Sequence, residues 1–147
     1  MKITLVAVGK LKEKFLIDGV AEYLKRLKPF AKIEIREIAE QKTLELEGKK
    51  ILSQIPKENF IFVLDVAGNF LTSEDFAKKI SDLTLSGVSD ITFVIGGAFG
   101  LSEEVKKISD FRLSFSPMTF THQMARLILV EQIYRAFKIN RSEPYHW

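Results

Sequence analysis

Runs of consecutive apolar residues alternate along the chain with segments in which apolar residues recur every three or four positions. Three runs contain almost no polar positions, which is typical of strands buried on both faces of a sheet. These runs cover residues 2–8, 59–65 and 90–95. Residues 32–38 alternate strictly between charged and apolar side chains and predict a strand near a sheet edge, with one exposed face. We expect a further strand over 111–115, and a turn over 67–69.

The segments between these strands have helical spacing and recognisable start and stop signals. The predicted helices run from Leu16 to Lys28, over 40–55, from Thr72 or Ser73, from Ser102, and over 121–138. No linker or repeat interrupts the alternation of strands and helices. The sequence therefore predicts one domain over residues 1–147, an α/β fold with a mostly parallel sheet and helices on both faces.

The polar residues of the last predicted helix change sides partway along it. One polar cluster contains His122 and Arg126, and a second cluster on another side contains Arg135. Residues 127–130 lie between them and are apolar on every side. A helix that is apolar all round must be buried all round, and a chain of 147 residues offers little interior. We therefore expect a homodimer interface here, with a central core helix as the alternative.

The composition excludes several kinds of site. The chain has no cysteine, which rules out disulfides, thiolate catalysis and zinc–thiolate sites. Only two histidines are present, so we expect no metal site. The first apolar run is too short for a signal peptide or a membrane span, and we expect a cytoplasmic protein without membrane contact.

The net charge of +3 is distributed unevenly along the chain. Residues 1–60 carry 13 basic against 9 acidic side chains, residues 61–110 carry 4 against 8, and residues 111–147 carry 5 against 2. Basic flanks around an acidic middle fit a negatively charged partner such as nucleic acid. The alternative is the modest positive balance that many small proteins carry.

A glycine loop, Gly96-Gly97-Ala98-Phe99-Gly100, follows an apolar strand and precedes a short helix. Open α/β sheets bind ligands at such positions. The loop lacks the spacing of the dinucleotide and triphosphate motifs, and Glu103 and Glu104 follow it where a phosphate would need positive potential. The loop therefore favours a neutral or cationic ligand, and the alternative is a tight turn without a ligand.

The last helix and the end of the chain concentrate side chains that suit RNA. Histidine and arginine lie on the helix, and the chain ends Pro-Tyr-His-Trp. Splayed RNA bases stack on aromatic and guanidinium planes. The alternatives are a capping or core role for His122 and a hydrophobic tether for the tail.

Five blocks of the sequence, in order and spread over the whole chain, resemble the RlmH family of ribosomal large-subunit methyltransferases in the SPOUT superfamily. The blocks are LVAVGKLKEK (5–14), FVIGGAFGL (93–101), LSFSPMTFTHQMAR (113–126), EQIYRAFK (131–138) and PYH (144–146). The resemblance implies a C-terminal trefoil knot, a homodimer, S-adenosylmethionine as methyl donor and N3 of a pseudouridine in 23S ribosomal RNA as acceptor. The substrate would be that RNA or the assembled ribosome.

The resemblance also implies roles for individual residues. The cofactor-binding positions are Leu64, Gly96, Phe115, Ser116, Pro117, Met118, Thr119 and Phe120. The positions on the substrate side are His122, Arg135, Tyr145 and His146, with Arg126 a weaker candidate. The N3 proton must leave during transfer, and either histidine is of the right type to accept it, while Arg135 could stabilise the anionic ring.

This sequence departs from the family pattern at three positions. Pro117 replaces a frequent lysine, Thr121 replaces a frequent proline, and Trp147 replaces a basic residue. Two other functions compete with methyl transfer: a non-enzymatic RNA-binding dimer and, less favoured, a nucleotide-binding oxidoreductase.

Overall fold

Ten helices and strands alternate along the computed structural model, which describes residues 1–146; Trp147 lies outside the described residues. The strands are β1 (Lys2–Val8), β2 (Lys32–Ile38), β3 (Phe60–Phe70), β4 (Asp90–Ile95) and β5 (Phe111–Ser114). The helices are α1 (Lys14–Leu27), α2 (Leu44–Gln54), α3 (Ser73–Leu85), α4 (Glu103–Lys107) and α5 (His122–Asn140).

The five strands form one parallel sheet in the order β2-β1-β4-β3-β5. The predicted edge strand, β2, lies at the edge, and two of the three inner strands, β1 and β4, are almost wholly buried. The register aligns Val6 of β1 with Val94 of β4. The predicted α/β class with a parallel sheet is confirmed.

Two separate cores cover the two faces of the sheet, because successive strand residues point to opposite faces. Leu5 and Phe93 face one side, where helices α1, α3 and α5 pack. Val6 and Val94 face the other side, where Ile51 of α2 packs with residues of α4. Helices on both faces are therefore confirmed, and α5 belongs to the larger core.

The central part of α5 is buried by elements of the same chain. Leu129 and Val130 have no exposed surface and belong to the core shared with α1 and α3. Leu127 is partly buried and lies close to Gly19 of α1. The chain itself thus buries Leu129 and Val130, whereas Leu127 and Ile128 keep part of their surface exposed. The homodimer stays a prediction.

Strand β3 differs from the sequence prediction. The predicted turn over 67–69 is wrong, because β3 continues to Phe70 and pairs there with β5. The pairing shifts between Leu64 and Asn69, and the Asp65 carboxylate accepts a hydrogen bond from the Ala67 amide within this irregular stretch. A residue pattern typical of a turn here produces a bulge in a strand. The trefoil knot stays a prediction.

Candidate functional site

A cleft of about 860 Å³ opens where β4 and β5 end, beside the irregular stretch of β3 that follows Leu64. In parallel sheets, ligands bind beyond the carboxyl ends of the strands. Most of the predicted cofactor positions line this cleft together with the start of α5. These positions are Leu64, Gly96, Phe115, Ser116, Met118, Thr119 and Phe120. The exposed Pro117 is not among the lining residues.

Gly96 begins the loop that forms one wall of the cleft. A Cβ atom at this position would lie 2.5 Å from the carbonyl oxygen of Gly100, closer than real Cβ contacts allow. The loop is closed by a hydrogen bond from the Gly100 amide to the Gly97 carbonyl oxygen. The loop can therefore adopt this conformation only with glycine at position 96, whether or not a ligand is bound.

The segment after β5 forms the opposite wall and leads into α5. Ser116 Oγ accepts a hydrogen bond from the Met118 amide, which shapes the start of the segment. Thr121 then caps α5, because its side-chain oxygen accepts from the Met124 amide at 3.1 Å. Thr121, which stands where relatives often have proline, therefore serves as the N-terminal cap of α5.

Three charged residues of the cleft wall, Glu13, Asp65 and Lys106, were not predicted as site residues. Asp65 directly follows Leu64, its side chain is only 10% exposed, and its Oδ2 has no hydrogen-bond partner within residues 1–146. Lys106 of α4 places its Nζ 3.9 Å from this oxygen. The signal that could have found Asp65 is its position at the carboxyl end of an apolar run.

His122 reaches the cleft from the first turn of α5. Gly9 has a positive φ of 84°, and a Cβ there would lie 3.4 Å from His122 Nε2, so the loop after β1 passes close to the imidazole. Arg126 lies one turn further on and is only 2% exposed. Its guanidinium donates to Glu37 Oε2 at 2.6 Å and to the Gly9 carbonyl oxygen at 3.0 Å. Arg126 therefore fixes the β1 loop, and its burial argues against the substrate role considered for it.

The remaining predicted residues form a second group near the other end of α5. Arg135 Nη1 lies 3.0 Å from His146 Nδ1, and its Cζ lies 4.9 Å from the centre of the Tyr145 ring. The Tyr145 hydroxyl lies 2.9 Å from both Glu131 Oε1 and the Tyr23 hydroxyl. We call Arg135, Tyr145, His146, Glu131 and Tyr23 the tail cluster.

The partners of His146 decide which ring nitrogen accepts a hydrogen bond and which one donates. A guanidinium can only donate, so Nδ1 of His146 accepts from Arg135. The ring proton then lies on Nε2, which donates to Glu74 Oε1 at 2.6 Å. Both ring nitrogens are occupied, and His146 in this arrangement has no free lone pair with which to accept a proton.

Tyr145 and Arg135 are held in their ordinary protonation states. Burial, followed by the hydrogen bonds with Tyr23 and Glu131, raises the pKa of the Tyr145 phenol. The hydrogen bond to Glu131 raises the pKa of Arg135. Neither group is suited to proton abstraction near neutral pH, whereas both can donate hydrogen bonds.

Within one protomer the two groups of predicted site residues are far apart. Arg135 follows His122 by thirteen residues on the same helix, which corresponds to about 20 Å at the rise of an α-helix. The structure thus brings His122 together with the cofactor positions, and separately joins Arg135, Tyr145 and His146. It does not bring the two groups together.

The family model described as "Predicted SPOUT methyltransferase" matches residues 1–146. The chain belongs to the SPOUT methyltransferase family. Family membership favours methyl transfer over the oxidoreductase alternative.

Relatives of this SPOUT methyltransferase match it over its whole length. Ribosomal RNA large subunit methyltransferase H of Halothermothrix orenii is 50% identical, with 99% of each chain covered. The enzyme of the same name from Carboxydothermus hydrogenoformans is also 50% identical, again with 99% of each chain covered. The resemblance to this family that we drew from five sequence blocks is confirmed.

Solved structures of low sequence identity share the SPOUT methyltransferase's fold. A methylase family protein from Haemophilus influenzae matches with a TM-score of 0.58 and 12% identity, covering 99% of this chain and 70% of that one. A protein from Legionella pneumophila, solved with the cofactor SAM bound, matches with a TM-score of 0.50 and 11% identity, covering 93% and 66%.

Two further properties concern metals and membranes. Among residues 1–146, no group of three or more histidine, aspartate or glutamate side chains could hold a metal ion. No helix in this part of the SPOUT methyltransferase is long and apolar enough to cross a membrane.

Proposed function

We propose that this chain transfers a methyl group from S-adenosylmethionine to N3 of a pseudouridine in 23S ribosomal RNA. The observation that carries the proposal is the cleft of about 860 Å³, because seven of the eight cofactor positions implied by the resemblance line it. Full-length relatives named ribosomal RNA large subunit methyltransferase H support the RNA substrate. A ribosomal substrate would place the enzyme in the cytoplasm.

The residues of the cleft fit S-adenosylmethionine. Its volume of about 860 Å³ lies within the roughly 300–1,000 Å³ usual for small-molecule sites. Leu64 and Phe115 offer apolar contacts, and the loop starting at Gly96 offers backbone groups. The partly desolvated carboxylate of Asp65 suits a cationic ligand better than a phosphate. When bound, this cofactor supplies a methyl group activated by a positively charged sulfur.

The residues around the acceptor base must hold its N3 atom in line with the methyl–sulfur bond of the cofactor, and they must remove the N3 proton. Positioning can supply about 7–11 kcal/mol of the barrier in a displacement of this kind. We assign proton acceptance to His122, because it lines the cleft while both nitrogens of His146 are occupied. Arg135 would stabilise the anionic ring, and the Tyr145 ring would stack on the base.

These roles require a homodimer. About 20 Å separates Arg135 from His122 along α5, so the two cannot act on one base within a protomer. A partner related by twofold symmetry can bring its own tail cluster to this cleft. The mouth of the cleft exposes the apolar side chains of Phe99 and Met118, which are 88% and 74% exposed and are candidates for burial by that partner.

The test is transfer of tritiated methyl groups to ribosomes, isolated large subunits and free ribosomal RNA, followed by mapping of the labelled nucleoside. We expect label at N3 of a pseudouridine in the large-subunit RNA. Label on another nucleoside would contradict the assigned acceptor. RNA binding without any transfer would favour the non-enzymatic RNA-binding dimer.

A further inference from the structure

The Glu131 carboxylate is the centre of the tail cluster. Its Oε1 accepts from Arg135 Nε at 3.1 Å, from Arg135 Nη2 at 2.5 Å and from the Tyr145 hydroxyl at 2.9 Å. The side chain is only 18% exposed. One oxygen atom therefore receives hydrogen bonds from both residues that we place against the substrate base.

The position of Glu131 is itself fixed by neighbouring elements. Its second oxygen, Oε2, accepts from Gln132 Nε2 at 2.8 Å, and Gln132 Oε1 accepts from Ser73 of α3 at 2.7 Å. On the other side, Tyr145 donates to Glu131, so its hydroxyl can accept from Tyr23 of α1. A continuous set of hydrogen bonds thus ties the carboxylate to α1, α3 and the tail.

We propose that Glu131 is a positioning residue for methyl transfer, whose carboxylate fixes the Arg135 guanidinium and, through its hydroxyl, the Tyr145 ring. A surface ion pair of this i,i+4 spacing would contribute little. Here the same oxygen also orients a second side chain, from a different part of the chain. The inference rests on the proposed function, because Arg135 and Tyr145 matter to catalysis only if the tail cluster meets the substrate.

Glu143 provides a matched control. It also accepts a hydrogen bond from a basic side chain of α5, Lys138, at 2.6 Å, and it is 37% exposed. Within residues 1–146, Glu143 forms no hydrogen bond or ion pair with any of the five residues of the tail cluster. Glu143→Gln therefore removes a similar charge pair near the same helix end.

The kinetic experiment compares Glu131→Gln, Glu143→Gln and the wild type in methyl transfer to ribosomes, with melting curves for each. We expect Glu131→Gln to lower kcat by about 10- to 100-fold, the usual effect of a small misplacement of reacting groups. The Kd for S-adenosylmethionine should stay unchanged, and Glu143→Gln should keep kcat within about twofold of wild type, as expected for an exposed charge pair.

A second comparison separates positioning from a merely structural role. In an Arg135→Ala, Tyr145→Phe background, Glu131→Gln should cost no further activity, since residues that act as one unit are not additive. An effect of Glu131→Gln that recurs in full in this background would overturn the inference.

A spectroscopic measurement makes the inference testable without activity. The Arg135 Nε–H resonance, assigned with Arg135→Lys, should shift in Glu131→Gln and not in Glu143→Gln. If Glu131→Gln is as active as an active wild type, or if the Arg135 resonance does not shift, the inference about Glu131 is wrong. The proposed methyl transfer would not be affected by either result. A wild type that transfers no methyl group would instead overturn the proposed function.

Discussion

The two ends of α5 carry two differently built halves of one proposed active site. At its start, His122 faces an open cleft whose walls are glycine backbone and apolar side chains. Towards its end, Arg135, Tyr145 and His146 form a closed cluster in which the polar groups bond to one another and to Glu131 and Glu74. One half is shaped to admit a ligand, and the other is preorganised before any ligand arrives.

This difference assigns cofactor binding to one half and orientation of the acceptor base to the other. A backbone-lined cleft can select a cofactor by shape, whereas fixed side chains orient an acceptor whose position decides the rate. Because a rigid helix separates the halves by about 20 Å, one protomer can build each half independently. A change in one half should therefore leave the other half unaffected.

The largest effect is expected from Gly96→Val in the cleft. Cofactor at a hundredfold excess over its Kd should stabilise the wild type by about 2.7 kcal/mol, and the variant should lose this stabilisation because its side chain strikes the Gly100 carbonyl. Melting curves with and without S-adenosylmethionine measure it. Gly87→Ala, at a glycine with positive φ and nothing within 4 Å of the added Cβ, is the control for backbone strain and should keep the shift.

Deletion of residues 144–147 changes the other half. Methyl transfer should fall by about a hundredfold because the acceptor loses the groups that position it, while the Kd for S-adenosylmethionine stays at its wild-type value. Turnover, cofactor affinity and melting temperature should be measured on one sample. A lower melting temperature with activity lost only in proportion to unfolding would mean that the tail is a tether.

The cap of α5 has a smaller effect, on stability alone. Thr121→Ala removes the oxygen that accepts from the Met124 amide, and such changes cost about 1 kcal/mol. Thr121→Pro should cost less, because the φ of −60° at this position already suits proline, which also restricts the unfolded chain. Denaturant unfolding of both variants measures this, and a costlier proline variant would contradict the expectation.

The smallest expected effect is on the titration of Glu74. The hydrogen bond from His146 is the main cause that lowers the pKa of Glu74 below its ordinary value of 4.5. A lowered pKa in the folded state means that this contact stabilises the protein above pH 4.5 and is lost as the pH falls through the lowered pKa. Deleting residues 144–147 should return the pKa towards 4.5. Carboxylate NMR titration checks this, and an unchanged pKa would show that the tail does not hold Glu74.

The strands, the helices and the cleft could be predicted because each depends on residues close together in the sequence. Apolar runs predicted β1, β3 and β4, and the glycine loop after β4 marked the cleft. The continuation of β3 to Phe70 could not be foreseen, since Ala67-Gly68-Asn69 is typical of a turn and the strand resumes only where Asn69 and Phe70 pair with β5.

Contacts between distant residues account for what the sequence analysis missed. The spacing of Glu131 and Arg135 predicts no more than a helical ion pair, and the role of Glu131 emerges only when Tyr145 lies against it. The apolar segment 127–130 predicted a homodimer, but the core shared with α1 and α3 already buries Leu129 and Val130 and leaves only Leu127 and Ile128 partly exposed. The separation of the two halves is a different and stronger reason to expect a homodimer.

Mixing two inactive variants tests the central claim that each active site combines the cleft of one protomer with the tail of the other. Gly96→Val lacks a working cleft, and the deletion of residues 144–147 lacks the tail cluster. After subunit exchange, verified by native mass spectrometry, half of the dimers should contain one intact composite site. We predict about a quarter of wild-type methyl transfer from the statistics of a twofold dimer. Mixed dimers without restored activity, or a chain that remains monomeric, would contradict the account.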